Sequence, residues 1–209
     1  MGQRTAAKQA LRARAPLGKT RPLRSSAKNH VIADEPLCLA VFATALGWFA
    51  AAGRGKVLEF LTAGHPSAAS ARTEALKCIQ KWDLGALDAE LDWCPELKKR
   101  LVEYAKGKRV QFDDIPLSLP KLTEFQSRVL KRTRKIGFGE TLSYGELALQ
   151  SGHPRAARGV GTVMSQNRFP VIIPCHRVIA SQGKLGGYSG PQGVCLKEKL
   201  LILESSGRD

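Results

Sequence analysis

Apolar residues in the first half of the chain form short runs that are separated by glycines. Residues 37–44 are almost continuously apolar, and residues 48–52 and 57–61 form two further runs. Gly47 and Gly55 stand at the two joins, where glycine permits the tight turns of a strand meander. The pattern therefore predicts three consecutive strands.

Helical spacing replaces this pattern further along the chain. In residues 66–80 the apolar positions recur near the spacing of one helical face, and residues 95–105 predict a second helix. Residues 110–115 predict one more short strand, and residues 116–120 predict a linker. We expect a small sheet-and-helix domain with no catalytic group in it.

Helices dominate the second half, and polar caps mark where they begin. Residues 123–126 and 143–146 have the form of capping boxes, in which two side chains satisfy the first free amides of a helix. The second of these helices is broken at residues 151–154, and residues 155–166 predict another. Two short helices joined by a tight turn are typical of a helix-turn-helix, although many helical hairpins never touch DNA.

Two features of these helices each permit two interpretations. Gly159 and Gly161 each cost roughly 1 kcal/mol relative to alanine in a helix interior. Such small residues serve either tight packing on the preceding helix or close approach to another surface.

The helix after residue 123 carries basic side chains that are either a solvated face or phosphate contacts. These are Arg128, Lys131, Arg132, Arg134 and Lys135.

The balance of charge points to a polyanionic partner, of which nucleic acid is the commonest. The chain holds 33 basic and 18 acidic residues, with a formal net charge of +15. Residues 1–33 contain eight basic and no acidic residues, and they lack the apolar stretch of a secretory signal. We predict that they form a disordered tail. No apolar run is long enough for a membrane span.

The cysteines indicate neither a disulfide framework nor a zinc ribbon. There are five, an odd number, and no Cys-x-x-Cys occurs. Free thiols fit a reducing compartment. Cysteines and histidines in the first half lack the spacing of metal ligands, so we expect no metal. The cysteines are Cys38, Cys78, Cys94, Cys175 and Cys195.

Residues 170–178 bring reactive side chains to the end of an apolar run. The run is predicted to be a buried strand ending at Pro174, and Cys175, His176 and Arg177 follow it. A thiol is a strong nucleophile only as thiolate, and the adjacent imidazole and guanidinium could favour that form. Because neighbours on an extended chain point to opposite sides, the imidazole should reach the thiol through a water or from a turn.

A glycine-rich loop and a last helix follow this segment. Tyr188 and Ser189 stand among the glycines of residues 183–190, and such a loop is either the wall of a flat ligand's pocket or a surface turn. Residues 195–203 predict a helix that leads to Glu204. That carboxylate is either solvated or the third member of a Cys-His-Glu relay.

Six segments of the second half combine into a recognisable set. They are Phe-Gly-Glu-Thr-Leu-Ser-Tyr at 138–144, Pro-Arg-Ala-Ala-Arg at 154–158, Asn167, Pro-Cys-His-Arg-Val at 174–178, Gly-Tyr-Ser-Gly at 187–190, and Lys-Glu-Lys-Leu-Leu at 197–201 with Glu204. Together they resemble the methylated-DNA–protein-cysteine methyltransferases, or O6-alkylguanine-DNA alkyltransferases. The resemblance covers residues 120–204 and is faint before residue 117.

The resemblance implies DNA repair by a single-use transferase. An alkyl group would move from O6-alkylguanine, or from O4-alkylthymine, to an internal cysteine without any cofactor. Cys175 would accept it, His176 would deprotonate the thiol through a water, and Glu204 would orient the imidazole. Asn167 would brace the turn. The partner would be double-stranded DNA containing alkylated guanine, and the chain would be a monomer inside the cell, cytoplasmic in a bacterium or nuclear in a eukaryote.

The resemblance also assigns residues to the base pocket and to the DNA. Tyr144 would donate to the guanine ring and crowd a phosphate so that the nucleotide rotates out, and Arg158 would take the place of the flipped base. The small residues of its helix would fit the minor groove; these are Ala156, Ala157 and Gly161. The pocket would be lined by Pro170, Tyr188 and Ser189, with the carbonyls of Cys175 and Val178 contacting the guanine amine. The loop link at 191–195 is longer than usual, and its Pro191 is expected to restrict large adducts.

The predicted fold class is α+β. After the basic tail, residues 34–117 form a small N-terminal α/β domain. Residues 118–209 form a mostly helical, winged-helix-like domain that carries the helix-turn-helix and the alkyl acceptor. Two other functions compete with alkyl transfer. A damage-binding protein without transfer activity usually lacks the cysteine, and a cysteine hydrolase would leave the helix-turn-helix unexplained.

Overall fold

The N-terminal strands form the predicted antiparallel meander. The computed structural model describes residues 35–207, so the predicted tail at 1–33 lies outside the described residues. Strands β1 (Leu37–Thr44), β2 (Gly47–Arg54) and β3 (Val57–His65) pair in succession. A short β4 (Ala89–Glu90) joins β1 in parallel, which gives the order β3-β2-β1-β4.

Alternation along the strands gives the sheet two buried faces. Leu37 and Leu39 of β1 pack in one apolar cluster, whereas Ala40 and Phe42 pack in the other. Helix α1 (Ala68–Lys81) covers the first face with its own small residues, including Ala71. Helix α2 (Pro95–Ala105) lies against β1 and contributes to the second cluster. This division follows because side chains two residues apart share a face of a strand. Both helices match the sequence prediction.

The predicted strand at residues 110–115 is wrong. Its carbonyl groups are occupied by a side chain and not by a ladder, since the Arg134 guanidinium donates to Phe112 O at 2.6 Å and to Ile115 O at 2.9 Å. The chain pairs with the sheet only afterwards, where Leu58 N donates to Pro116 O at 2.9 Å. The first residue of the predicted linker, Pro116, is therefore hydrogen-bonded to the edge strand β3.

The second half is mostly helical, as predicted. Both capping boxes are present, at Thr123 with Gln126 and at Ser143 with Glu146. Two short strands pair in parallel beside these helices. The elements are α3 (Glu124–Thr133), β5 (Leu142–Ser143), α4 (Tyr144–Gln150), α5 (Ala157–Ser165), β6 (Val178–Ile179) and α6 (Val194–Ser205).

The apolar run before Cys175 is buried but is not the predicted strand. It folds as tight turns, in which Ile173 N donates to Phe169 O at 2.8 Å and Val171 adopts a φ of 72°. Prolines at 170 and 174 lack the N–H that a ladder needs. The turns end in a single 3-10 turn, Cys175–Arg177.

One apolar cluster extends from the sheet into the helical half. It joins Phe42 and Phe49 of the sheet to Val129, Val160 and Ile173. The architecture is a small sheet with helices and is α+β; the division into domains at residue 117 stays a prediction. No helix within residues 35–207 is long and apolar enough to cross a membrane.

Candidate active site

The 3-10 turn buries the predicted nucleophile beside its predicted base. Cys175 is 7% exposed and His176 is fully buried. Asn167 holds the preceding chain, since its Nδ2 donates to Ile173 O at 2.8 Å and its Oδ1 accepts from Phe169 N at 3.0 Å. The thiol and the imidazole therefore share one turn, which is one of the two arrangements that the sequence left open.

The Cys175 thiol is not a spontaneous thiolate. Burial raises the pKa of Cys175, and the Asn167 side chain, the Lys197 charge and two backbone amides oppose that rise only in part. Lys197 itself is fully buried, and its Nζ donates to Val178 O at 2.6 Å. Burial lowers the pKa of Lys197. A base is needed to remove the thiol proton, while the lysine favours the thiolate once it has formed.

Glu204 contacts His176, as the resemblance implied, and the contact determines the tautomer. His176 Nε2 lies 2.8 Å from Glu204 Oε1. Burial alone would raise the pKa of Glu204, but hydrogen bonds from His176 and Arg177 outweigh burial and lower it well below its usual range. An ionised carboxylate only accepts, so Nε2 carries the imidazole proton. Burial also lowers the pKa of His176. Nδ1, which has no partner among the described residues, holds the free lone pair.

Arg177 and Tyr104 complete the surroundings of Glu204. The Arg177 guanidinium, which was expected to favour the thiolate, binds this carboxylate, and Tyr104 had no predicted role. Arg177 donates from Nε to Oε2 and from Nη2 to Oε1, both at 2.9 Å, and from Nη1 to Ile136 O. The Tyr104 hydroxyl donates to Glu204 Oε1 at 2.6 Å. Tyr104 follows Leu101 and Leu97 along the apolar face of α2, where its spacing predicts an ordinary core residue.

Two clefts meet at Cys175. A cleft of about 820 Å³ is lined by Tyr144, Arg158 and Gly161, with Ala157 beside them. A cleft of about 980 Å³ runs between the helical half and the sheet, and Pro170 and Asn167 line it. Tyr188 and Ser189 border both clefts. Val178 is fully buried and borders neither, and Ala156 is the N-cap of α5.

The two glycines of α5 have different neighbours. A Cβ atom at Gly159 would meet the Phe125 ring at 3.2 Å, so this glycine serves packing against α3. A Cβ atom at Gly161 would meet only Tyr144, at 4.0 Å. Gly161 therefore faces the open cleft. Arg158, on the same helix, is exposed.

The basic side chains of α3 also divide into two groups. Arg134 holds backbone carbonyls, and Arg128 pairs with Glu124. Lys131, Arg132 and Lys135 are exposed and leave phosphate contact open.

The longer loop link is fastened to the sheet. Gln192 Nε2 donates to Gly64 O on β3, and its Oε1 accepts from Lys199 Nζ at 3.1 Å. The link does not displace Glu204 from His176. The expected effect of Pro191 on adduct size stays a prediction. Within residues 35–207 there is no group of three or more histidine, cysteine or acidic side chains that could hold a metal ion.

Comparisons with known proteins identify the family. Residues 124–206 match the family model described as the 6-O-methylguanine DNA methyltransferase DNA binding domain. The chain is 40% identical over 163 residues to a methylated-DNA–protein-cysteine methyltransferase of Mycobacterium tuberculosis, covering 77% of this chain and 88% of that one. It is 47% identical over 110 residues to one from Metallosphaera sedula, covering 53% and 67%.

Solved structures agree with these sequence matches. The Mycobacterium tuberculosis O6-methylguanine methyltransferase has a TM-score of 0.66 at 34% identity, and the match covers 83% of this chain and 95% of that one. A structure of the Mycobacterium tuberculosis OGT in complex with DNA has a TM-score of 0.64 at 34% identity, covering 81% and 93%. The chain therefore belongs to the methylated-DNA–protein-cysteine methyltransferase family.

Proposed function

We propose that this methyltransferase repairs double-stranded DNA by moving the alkyl group of O6-alkylguanine onto Cys175. The observation that carries the proposal is the position of the thiol, at the junction of two clefts and in the same 3-10 turn as His176 of the buried His-Glu pair. The DNA complex of the mycobacterial OGT and the names of the relatives support DNA as the partner. We propose that the chain acts as a monomer.

The chemistry needs only side chains of this protein. His176 Nδ1 takes the thiol proton through a water, and ionised Glu204 stabilises the resulting imidazolium. The thiolate attacks the alkyl carbon, a carbon–sulfur bond forms, and the carbon–oxygen bond breaks. The electron pair passes to the guanine, which takes up a proton at its edge. Burial raises the pKa of Tyr144, which keeps its hydroxyl protonated and able to donate to that base.

The product is a thioether, which no base in this site can hydrolyse. Each molecule therefore reacts once. O4-alkylthymine presents the same alkyl–oxygen bond on a smaller ring, so we propose it as a second substrate.

Helix α5 provides the proposed contacts with DNA. The target base leaves the duplex because its O6 atom is otherwise out of reach of a buried thiol. The exposed Arg158 takes its place in the stack, and Ala156, Ala157 and Gly161 allow the helix to enter the minor groove. Pro170, Tyr188 and Ser189 enclose the base. Val178 O already accepts from Lys197, and its second lone pair remains for the guanine amine.

Intact-protein mass spectrometry tests the proposal directly. The protein is mixed with an excess of duplex that carries one O6-methylguanine. We expect one added methyl group per molecule, mapped to Cys175, with no further addition. Cys175→Ala should gain no mass and still bind the duplex. Tight retention of the duplex without mass change in the wild type would instead indicate a damage-binding protein.

A further inference from the structure

We infer that Tyr104 is a positioning residue for the His176–Glu204 pair, so that the N-terminal half supports the chemistry through α2. The inference rests on the proposed role of His176 as the base. Tyr104 lies 100 residues before Glu204 in the chain, yet its hydroxyl is 2.6 Å from Glu204 Oε1 and 3.2 Å from His176 Nε2. It contacts both members of the pair and neither cleft.

The hydroxyl is fixed in place by its ring. Tyr104 is fully buried, and its ring packs edge-on against Phe112 and Phe138 with centroids 6.1 Å away in both cases. Burial and the neighbouring Glu204 charge raise the pKa of Tyr104, so the hydroxyl stays protonated. A protonated phenol beside an ionised carboxylate donates to it. His176 Nε2–H and the Tyr104 hydroxyl therefore both donate to Glu204 Oε1.

This shared acceptor gives the hydroxyl an effect on the base. Each donor to Glu204 partly neutralises its charge, and that charge is what favours imidazolium over imidazole. Other charged or titratable groups also act on the pair. They are Arg177 on the 3-10 turn and Lys197 on α6, and Tyr188 acts on the Tyr104 hydroxyl itself. These groups all lie in the C-terminal half, whereas Tyr104 reaches the pair from the N-terminal half.

Removing the hydroxyl should change the pH dependence of transfer. In Tyr104→Phe, Glu204 loses one donor and attracts the imidazolium more strongly, so the pKa of His176 rises. The acidic limb of the rate profile should then move to higher pH by up to about one unit. At a pH on that limb the rate of methyl transfer should fall by up to about tenfold. Affinity for the duplex, measured in a Cys175→Ala background, should not change.

Phe112→Leu is the matched control. It removes an aromatic contact of Tyr104 but keeps the hydroxyl, so stability should fall while the acidic limb stays in place. Single-turnover methylation by duplex containing O6-methylguanine would be followed between pH 5 and 9 for all three proteins. An unmoved limb in a folded Tyr104→Phe protein overturns the inference. Absence of wild-type methylation at Cys175 would overturn the proposed function instead.

A second measurement does not depend on the folding of the variant. In the wild type, a buried phenol bonded to a carboxylate should give a slowly exchanging, downfield hydroxyl proton in the NMR spectrum. A Tyr104 hydroxyl proton that exchanges freely in the wild type would also overturn the inference.

Discussion

At the residue scale, Glu204 is the most connected group of the site. It accepts from Arg177 and Tyr104, from the backbone of Gly139 at 3.1 Å, and from His176. Because so many donors converge on one carboxylate, its loss would leave a buried guanidinium without its counter-charge. The same residue therefore determines both the basicity of the imidazole and the stability of the fold.

Glu204→Gln should abolish efficient transfer and destabilise the protein. Arg177, which is 8% exposed, would keep its charge without a carboxylate partner. We expect the free energy of unfolding to fall by about 3–5 kcal/mol, the range for breaking one side of a buried pair. Urea denaturation at neutral pH measures this loss. A change of less than about 1 kcal/mol would mean that the arginine finds other acceptors.

The depressed pKa of Glu204 also predicts how stability depends on pH. Its folded pKa lies below the ordinary glutamate value of 4.5, so the stabilisation is complete above that value and is lost as the pH falls toward the folded pKa. Wild-type protein should therefore lose free energy of unfolding below about pH 4.5 more steeply than Glu204→Gln. Parallel slopes of the two proteins in that window would contradict the prediction.

At the element scale, α5 combines a packing glycine and a cleft glycine only two residues apart. Gly159→Ala would press a methyl group on the Phe125 ring at 3.2 Å, whereas Gly161→Ala meets only Tyr144 at 4.0 Å. The sequence shows both glycines but cannot distinguish them, because the distinction depends on which helix lies against each. The structure separates the two interpretations.

Alanine at these positions should have opposite consequences. Gly161→Ala should stabilise the protein by up to about 1 kcal/mol through helix propensity, and it should weaken binding to DNA if α5 enters a groove. Gly159→Ala should gain less stability, or lose some, with DNA affinity unchanged. Thermal denaturation and fluorescence anisotropy with a labelled duplex compare the pair. Equal DNA affinity of both variants and the wild type would contradict the groove contact.

The elements that the sequence predicted well are those that local patterns determine. Capping boxes begin α3 and α4, and alternation forms the meander. The two mispredicted strands, at 110–115 and before Cys175, are segments whose backbone carbonyls accept from side chains. Arg134 lies 22 residues beyond Phe112 and holds one segment. Asn167 holds the other with its amide. The local sequence of such a segment does not show which distant side chain its backbone meets.

At the scale of the whole molecule, the contacts around Glu204 come from both halves of the chain. The proposed catalytic groups lie in the half where the motifs predicted them, whereas Tyr104 comes from the half where none was expected. A tyrosine on the apolar face of a helix has the spacing of a core residue, and only the tertiary structure shows what its hydroxyl meets. Motif spacing therefore predicts the proposed catalytic residues, but a contact made by long-range packing cannot be predicted in this way.

The charge of the whole chain predicts how DNA binding responds to salt. Residues 1–33 carry eight of the 33 basic residues. Removing them should reduce affinity for undamaged duplex and lower the slope of log affinity against log salt by at most about seven, at about 0.9 per phosphate neutralised. Transfer to Cys175 at saturating duplex should persist. Titrations between 50 and 200 mM salt, about the range where such slopes are measured, test this. An unchanged slope would place the phosphate contacts elsewhere.

If each molecule reacts once, as proposed, the burial of Cys175 has a further consequence. Such a molecule has to keep its sulfur intact during the long wait before it meets a lesion. Oxidants and disulfides attack thiolates, and burial raises the pKa of Cys175 so that little thiolate exists at rest. Cys195, in contrast, is exposed. The fold therefore protects the unreacted Cys175 from oxidation. The same burial that makes a base necessary for transfer keeps the protein reactive while it waits for a lesion.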